Sequence, residues 1–104
     1  MKKIALLAAV AALYSLSAGS ALANPELATK RSCLACHATD KKLVGPSYKD
    51  VAAKYAGQKD AAAMLATKIQ KGGVGAWGQV PMPANPMVTA DEAKQLAAWV
   101  LSIK

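Results

Sequence analysis

Phenylalanine is absent from this 104-residue chain, which holds only five aromatic residues in all. Residues 24–104 contain four of them, Tyr48, Tyr55, Trp77 and Trp99. So short a chain buries a thin core and needs some further staple. The shortage excludes an interior packed from aromatic side chains and leaves room for a bound macrocycle to supply the bulk. Acidic residues are scarce too, six against thirteen Lys and Arg. Yet the basic residues are interspersed with acids, as in Lys49-Asp50 and Lys59-Asp60, and form no continuous run. That argues against nucleic acid and for a solvated surface biased toward acidic partner proteins. With one histidine and two cysteines, a zinc site of four Cys and His ligands is excluded.

What is present begins with an address. Lys2 and Lys3 precede an apolar run from Ile4 to Leu13, and small residues lead to Ala21-Leu22-Ala23. That is the order of a secretory signal segment, with cleavage expected after Ala23. An uncleaved anchor is the competing reading, since no charge falls between Lys3 and Glu26. Ser15, Ser17, Gly19 and Ser20 interrupt that stretch, however, and its compact apolar part is too short to span a bilayer. The expected division is a removed segment 1–23 and one domain, 24–104, delivered to the periplasm. That domain carries eleven Lys and Arg against six Asp and Glu, a net charge of +5.

Apolar residues recur there with helical period, and four helices are readable. Asn24, Pro25 and Glu26 open the first, which runs through Leu27 toward Cys33. The second spans Ser47 to Ala56 and stops at Gly57. Asp60 caps the third, which carries Met64, Leu65, Lys68 and Ile69 and ends at Gly72-Gly73. Thr89 and Glu92 form a capping box for the last, whose stripe is Leu96, Trp99, Val100 and Ile103. The stretches 41–46 and 72–88 read as irregular, and nothing reads as a strand of any length. The fold expected is all-α, about four helices with long functional loops.

Cys33-Leu34-Ala35-Cys36-His37 is the C-x-x-C-H pattern of c-type haem attachment. On a helical turn, residues three apart share a face, so both thiols reach the two vinyl groups of one porphyrin. The next residue then falls under the iron, where an imidazole is the usual proximal ligand. A disulfide or a thioredoxin-like dithiol shares the spacing. The redox pair wants a preceding strand, which the sequence lacks. Zinc wants a fourth ligand, and no further Cys or His exists.

With His37 used, the sixth iron ligand is Met, Lys, water or nothing. Met64 sits on a helix beside Leu65 and Ile69, where core filling is its expected job. Met82 lies between Pro81 and Pro83, which forbid helix and hold the backbone extended and stiff. A thioether so held favours the ferrous state. Met87, which follows Pro86, is the runner-up. For the other ring nitrogen of His37, the Gly45-Pro46 turn offers a carbonyl. Trp77 lies in a glycine-rich loop, and its indole N–H is a candidate donor to a haem propionate, with core packing as the alternative.

Beyond C-L-A-C-H, the chain reads V-G-P-S-Y-K-D-V-A-A-K-Y-A-G at 44–57, G-V-G-A-W-G-Q-V-P-M-P at 73–83 and D-E-A-K-Q-L-A-A-W-V-L-S-I-K at 91–104. In these segments it resembles the small monohaem class I cytochromes c of bacteria, in particular the cytochrome c-551/c-552 group. The resemblance implies a compact fold around one covalent haem c, with the first and last helices crossing. It also implies His37 and Met82 as axial ligands, a Pro46 carbonyl bonded to His37, and Trp77 bonded to a propionate. After Pro83 the loop is longer than the family pattern by a residue or more. The family's ligand-supporting amide, carried across that longer loop, falls on Asn85.

The function expected is a periplasmic one-electron carrier that transforms no substrate of its own. It would be a monomer, not embedded in the membrane, exchanging electrons with other cytochromes or with terminal reductases and oxidases. Lys30, Arg31, Lys41 and Lys42 lie close in sequence to the thioether region and would steer acidic partners. The rival from another class is a peroxidase or gas sensor with an open sixth site. A third reading is a haem-free dithiol module.

Overall fold

The computed structural model describes residues 24–104. The reading of 1–23 as a signal segment therefore lies outside the described residues. Four helices appear in order, α1 (Asn24–Lys30), α2 (Tyr48–Tyr55), α3 (Ala61–Lys71) and α4 (Ala90–Leu101), with a 3-10 turn at Cys33–Ala35 after α1. Among the described residues no helix is long and apolar enough to cross a membrane.

Local chemistry accounts for two of the helix starts. Ser47 Oγ accepts the Asp50 N–H at 3.0 Å and starts α2. At α4, Thr89 Oγ1 accepts from the Glu92 N–H at 3.1 Å, and the Thr89 N–H donates to Glu92 Oε1 at 3.2 Å. The expected capping box is thus complete. Asp60 occupies the N-cap position of α3, but its side chain makes no capping bond. Its backbone, at φ −95° and ψ 6°, departs from the extended conformation that lets an N-cap carboxylate reach back.

One element departs from the sequence reading. The stretch expected to be irregular holds an antiparallel hairpin, β1 (Gly73–Gly75) and β2 (Gly78–Met82), with a register shift between Gly73 and Gly75. Gly75 and Gly78 flank its turn at φ +106° and +111°, values that disfavour any side chain. With Gly73 as well, glycines take three of the positions in this short strand and its turn and leave no apolar alternation to read.

The core lies where α1, α3 and α4 meet. Ala28, Ala93 and Ala97 are wholly buried, and the small side chains let the first and last helices approach closely, with Leu27, Val88 and Leu96 filling the space between. A second cluster, Tyr48, Val51, Tyr55, Ala61 and Val100, joins α2 to α4. Met64 packs against it, in the core-filling role expected. Arg31 then ties the end of α1 to the start of α4, with Nε on Glu92 Oε1 at 3.0 Å and Nη2 on Oε2 at 2.9 Å. Such a two-point pair fixes orientation as well as distance.

Candidate haem site

Between these elements lies a mainly apolar cavity of about 330 Å³. Its walls include Val51, Leu65, Ile69, Leu96 and Val100, drawn from α2, α3 and α4. Cys33, Cys36 and His37 line it from the turn after α1, and Met82 lines it from the end of β2. Trp77, Pro46 and Asn85 line it as well, so every site residue expected from the sequence meets this one space. Met87 does not line it and stands 74% exposed.

The imidazole is held on several sides. His37 Nδ1 lies 2.8 Å from the Pro46 carbonyl oxygen. A carbonyl only accepts, so Nδ1 carries the proton and Nε2 keeps its lone pair free for a metal. The ring stacks on Tyr48, centroids 5.1 Å apart at 21°, and Tyr48 in turn meets Trp99 edge-on at 5.3 Å. Gly45 closes another side: a Cβ there would stand 2.5 Å from His37 Cε1. The Gly45 N–H donates to the Cys36 carbonyl at 2.8 Å, which folds the Gly45-Pro46 turn back over the C-x-x-C-H segment.

Cys33 and Cys36 form no disulfide with each other, and both are partly buried. Burial pushes the Cys33 thiol upward from its ordinary value. The neighbouring Tyr48 hydroxyl is raised well above its usual value, by burial first and then by the Cys33 sulfur.

Met82 ends a strand, so its backbone is extended, as its two prolines require. Asn85 acts on the same loop. Its Nδ2 donates to the Ile69 carbonyl at 2.8 Å and, at 3.4 Å, to that of Pro83, which fastens the loop to α3. Trp77 is 42% exposed, with Lys54 Nζ 5.1 Å above its ring. Sequence reasoning missed three contributors. Tyr48 was available as the first aromatic after Gly45-Pro46-Ser47, Lys42 was read only as a charge that steers partners, and Lys68 carried no local signal; both lysines bring positive charge to the cavity.

An apolar slot with two thiols, a proton-locked imidazole and a thioether on its walls, and ammonium groups beside it, fits an amphiphilic macrocycle that carries carboxylates and a metal. Comparison with known proteins leads to the same class. Residues 21–104 match the cytochrome c family model, and the chain belongs to the cytochrome c family. Its cofactor is one covalent haem c, and its work is to carry electrons, not to catalyse a reaction.

Within that family it is 56% identical to cytochrome c-552 of Hydrogenobacter thermophilus over 104 residues, covering 100% of both chains. It is 52% identical to cytochrome c-551 of Pseudomonas aeruginosa over 105 residues, again with full coverage. The crystal structure of Nitrosomonas europaea cytochrome c552 superposes with a TM-score of 0.76 at 52% identity, covering 77% of this chain and 99% of that one. The expected class I cytochrome c fold is the fold found.

Proposed function

We propose that residues 24–104 form a periplasmic one-electron carrier in which Cys33 and Cys36 hold the haem through thioethers and His37 and Met82 ligate its iron. The observation that carries this reading is the convergence of Met82 and the Nδ1-locked His37 on one cavity, while Met87 stays outside it. When bound, the haem supplies the ferric–ferrous couple.

The chain's own residues supply the rest. The Pro46 carbonyl, Gly45 and Tyr48 fix the imidazole plane, so the ligand moves little between oxidation states. Asn85 secures the Met82 loop, and the Trp77 indole would donate to a haem propionate. Lys42 and Lys68, which line the cavity, would offset the charge of the haem carboxylates. The apolar walls exclude water, which keeps the reorganisation on electron transfer small. Partners are donor and acceptor redox proteins, met by a monomeric mature domain after residues 1–23 are removed.

An absorption spectrum of the purified oxidised protein tests the ligation. A thioether-to-iron band in the far red is expected, lost in Met82→Ala and kept in Met87→Ala. A high-spin wild-type spectrum, or loss of the band in Met87→Ala alone, would overturn the assignment.

A further inference from the structure

A helix leaves its final carbonyls without intrahelical donors. At the end of α3 those carbonyls are where the Met82 loop is fastened. The Asn85 amide Nδ2 donates to Ile69 O at 2.8 Å, and the Asn85 backbone N–H donates to Gln70 O at 3.1 Å. Gly72 completes the seat, because a Cβ there would collide with the Met82 carbonyl oxygen, the Pro83 carbonyl carbon and the Ala84 nitrogen. These contacts secure the near part of the loop, from Met82 to Asn85.

The far end is secured separately, by a side chain. Gln70 Nε2 donates to the Val88 carbonyl at 3.0 Å, in a part-buried position. Val88 N–H returns to Asn85 O at 3.0 Å, and the Val88 side chain is 2% exposed in the cluster with Leu27 and Leu96. Residues 85 to 88 thus form a closed strap whose two ends both rest on Gln70, one on its carbonyl and one on its amide. Met87, beside the tethered Val88, faces solvent.

We propose that Gln70 is a positioning residue for the sixth iron ligand: by holding Val88 it takes up the slack of the lengthened loop and keeps Met82 at the iron. The proposal rests on Met82 being that ligand. With the strap open, the loop spends more time in states where Met82 is away from the metal, and any competing ligand binds more tightly in proportion to that fraction. One neutral hydrogen bond is worth about a five-fold change in such an equilibrium.

Imidazole, titrated into the oxidised holoprotein at neutral pH while the thioether-to-iron band is followed, reads that fraction directly. Gln70→Glu keeps the size but offers the Val88 carbonyl no donor, and it is expected to bind imidazole about five-fold more tightly than wild type. Gln70→Lys restores a donor of similar reach and is expected to behave as wild type. Thr67→Val removes a bond elsewhere on α3, from Thr67 Oγ1 to Ala63 O at 3.2 Å, and should also match wild type. Equal imidazole affinity in Gln70→Glu and wild type would overturn the proposal. So would an equal gain in Thr67→Val, since the effect would then report helix stability alone. A wild-type protein without the band would instead overturn the Met82 reading, and the proposal with it.

Discussion

Replacing Gly45 by alanine places one methyl group against the imidazole. The new Cβ would stand 2.5 Å from His37 Cε1, 2.9 Å from Nδ1 and 3.1 Å from Nε2. Carbon contacts settle near 3.5 Å or beyond, so the ring must withdraw by about 1 Å. Retreat is blocked by Tyr48, stacked at 5.1 Å, and it breaks the 2.8 Å bond from Nδ1 to Pro46. Overpacking of this kind costs about 2 kcal/mol, and the lost hydrogen bond adds about 1 kcal/mol. A total of about 3 kcal/mol displaces the urea midpoint of so small a protein by about 3 M. Denaturant unfolding of the holoprotein measures it, with the absorption spectrum recorded alongside. Gly57→Ala is the matched control, since φ is +81° but no atom lies within 4 Å of the added Cβ. It should cost about 1 kcal/mol through backbone strain and leave the spectrum untouched. A Gly45→Ala protein within about 0.5 kcal/mol of wild type, with an unchanged spectrum, would refute the steric argument.

Other perturbations test the frame around the site. Glu92 is held below the ordinary carboxylate range, chiefly by its hydrogen bonds to Arg31 and then by the Thr89 N–H. Because the folded-state value is depressed, its contribution is present above the unfolded carboxylate range and is lost as pH falls through the folded value. Glu92→Gln keeps a capping-box acceptor but no charge, so its stability deficit should shrink on acidification; a deficit independent of pH would contradict the ion-pair account. Leu27→Ala opens the α1–α4 seam at a side chain 2% exposed and should cost about 3 kcal/mol in chemical unfolding, with a loss under about 1 kcal/mol showing that the seam collapses around the gap.

What the sequence made legible was local. The Thr89–Glu92 box and the extended Met82 each depend on residues within a few positions, and each stands as expected. The Pro46 carbonyl was legible because a proline beside the C-x-x-C-H segment offers an acceptor and no donor. Contacts that join distant segments left no such trace. Arg31 and Glu92 are separated by 61 residues, and nothing beside either names the other. Gln70 looked like one polar residue on an amphipathic helix, although its amide spans 18 residues to Val88. The hairpin was hidden for another reason: its glycines carry no pattern, and it is held by turn geometry rather than by side-chain burial.

The cavity wall is assembled from opposite ends of the described chain. Cys33 and Cys36 sit on a turn closed by neighbouring backbone bonds, such as His37 N–H to Cys33 O at 3.1 Å, whereas Leu96, Ala97 and Val100 come from the last helix. Contacts of such long sequence separation cost more loop-closure entropy than the bonds within the attachment turn. The attachment turn is therefore available on a chain that has not yet enclosed anything, and a chain stopped before α4 keeps both thiols but lacks one wall of the pocket. Covalent attachment thus draws on a local turn, whereas enclosure of the pocket draws on the carboxy-terminal helix.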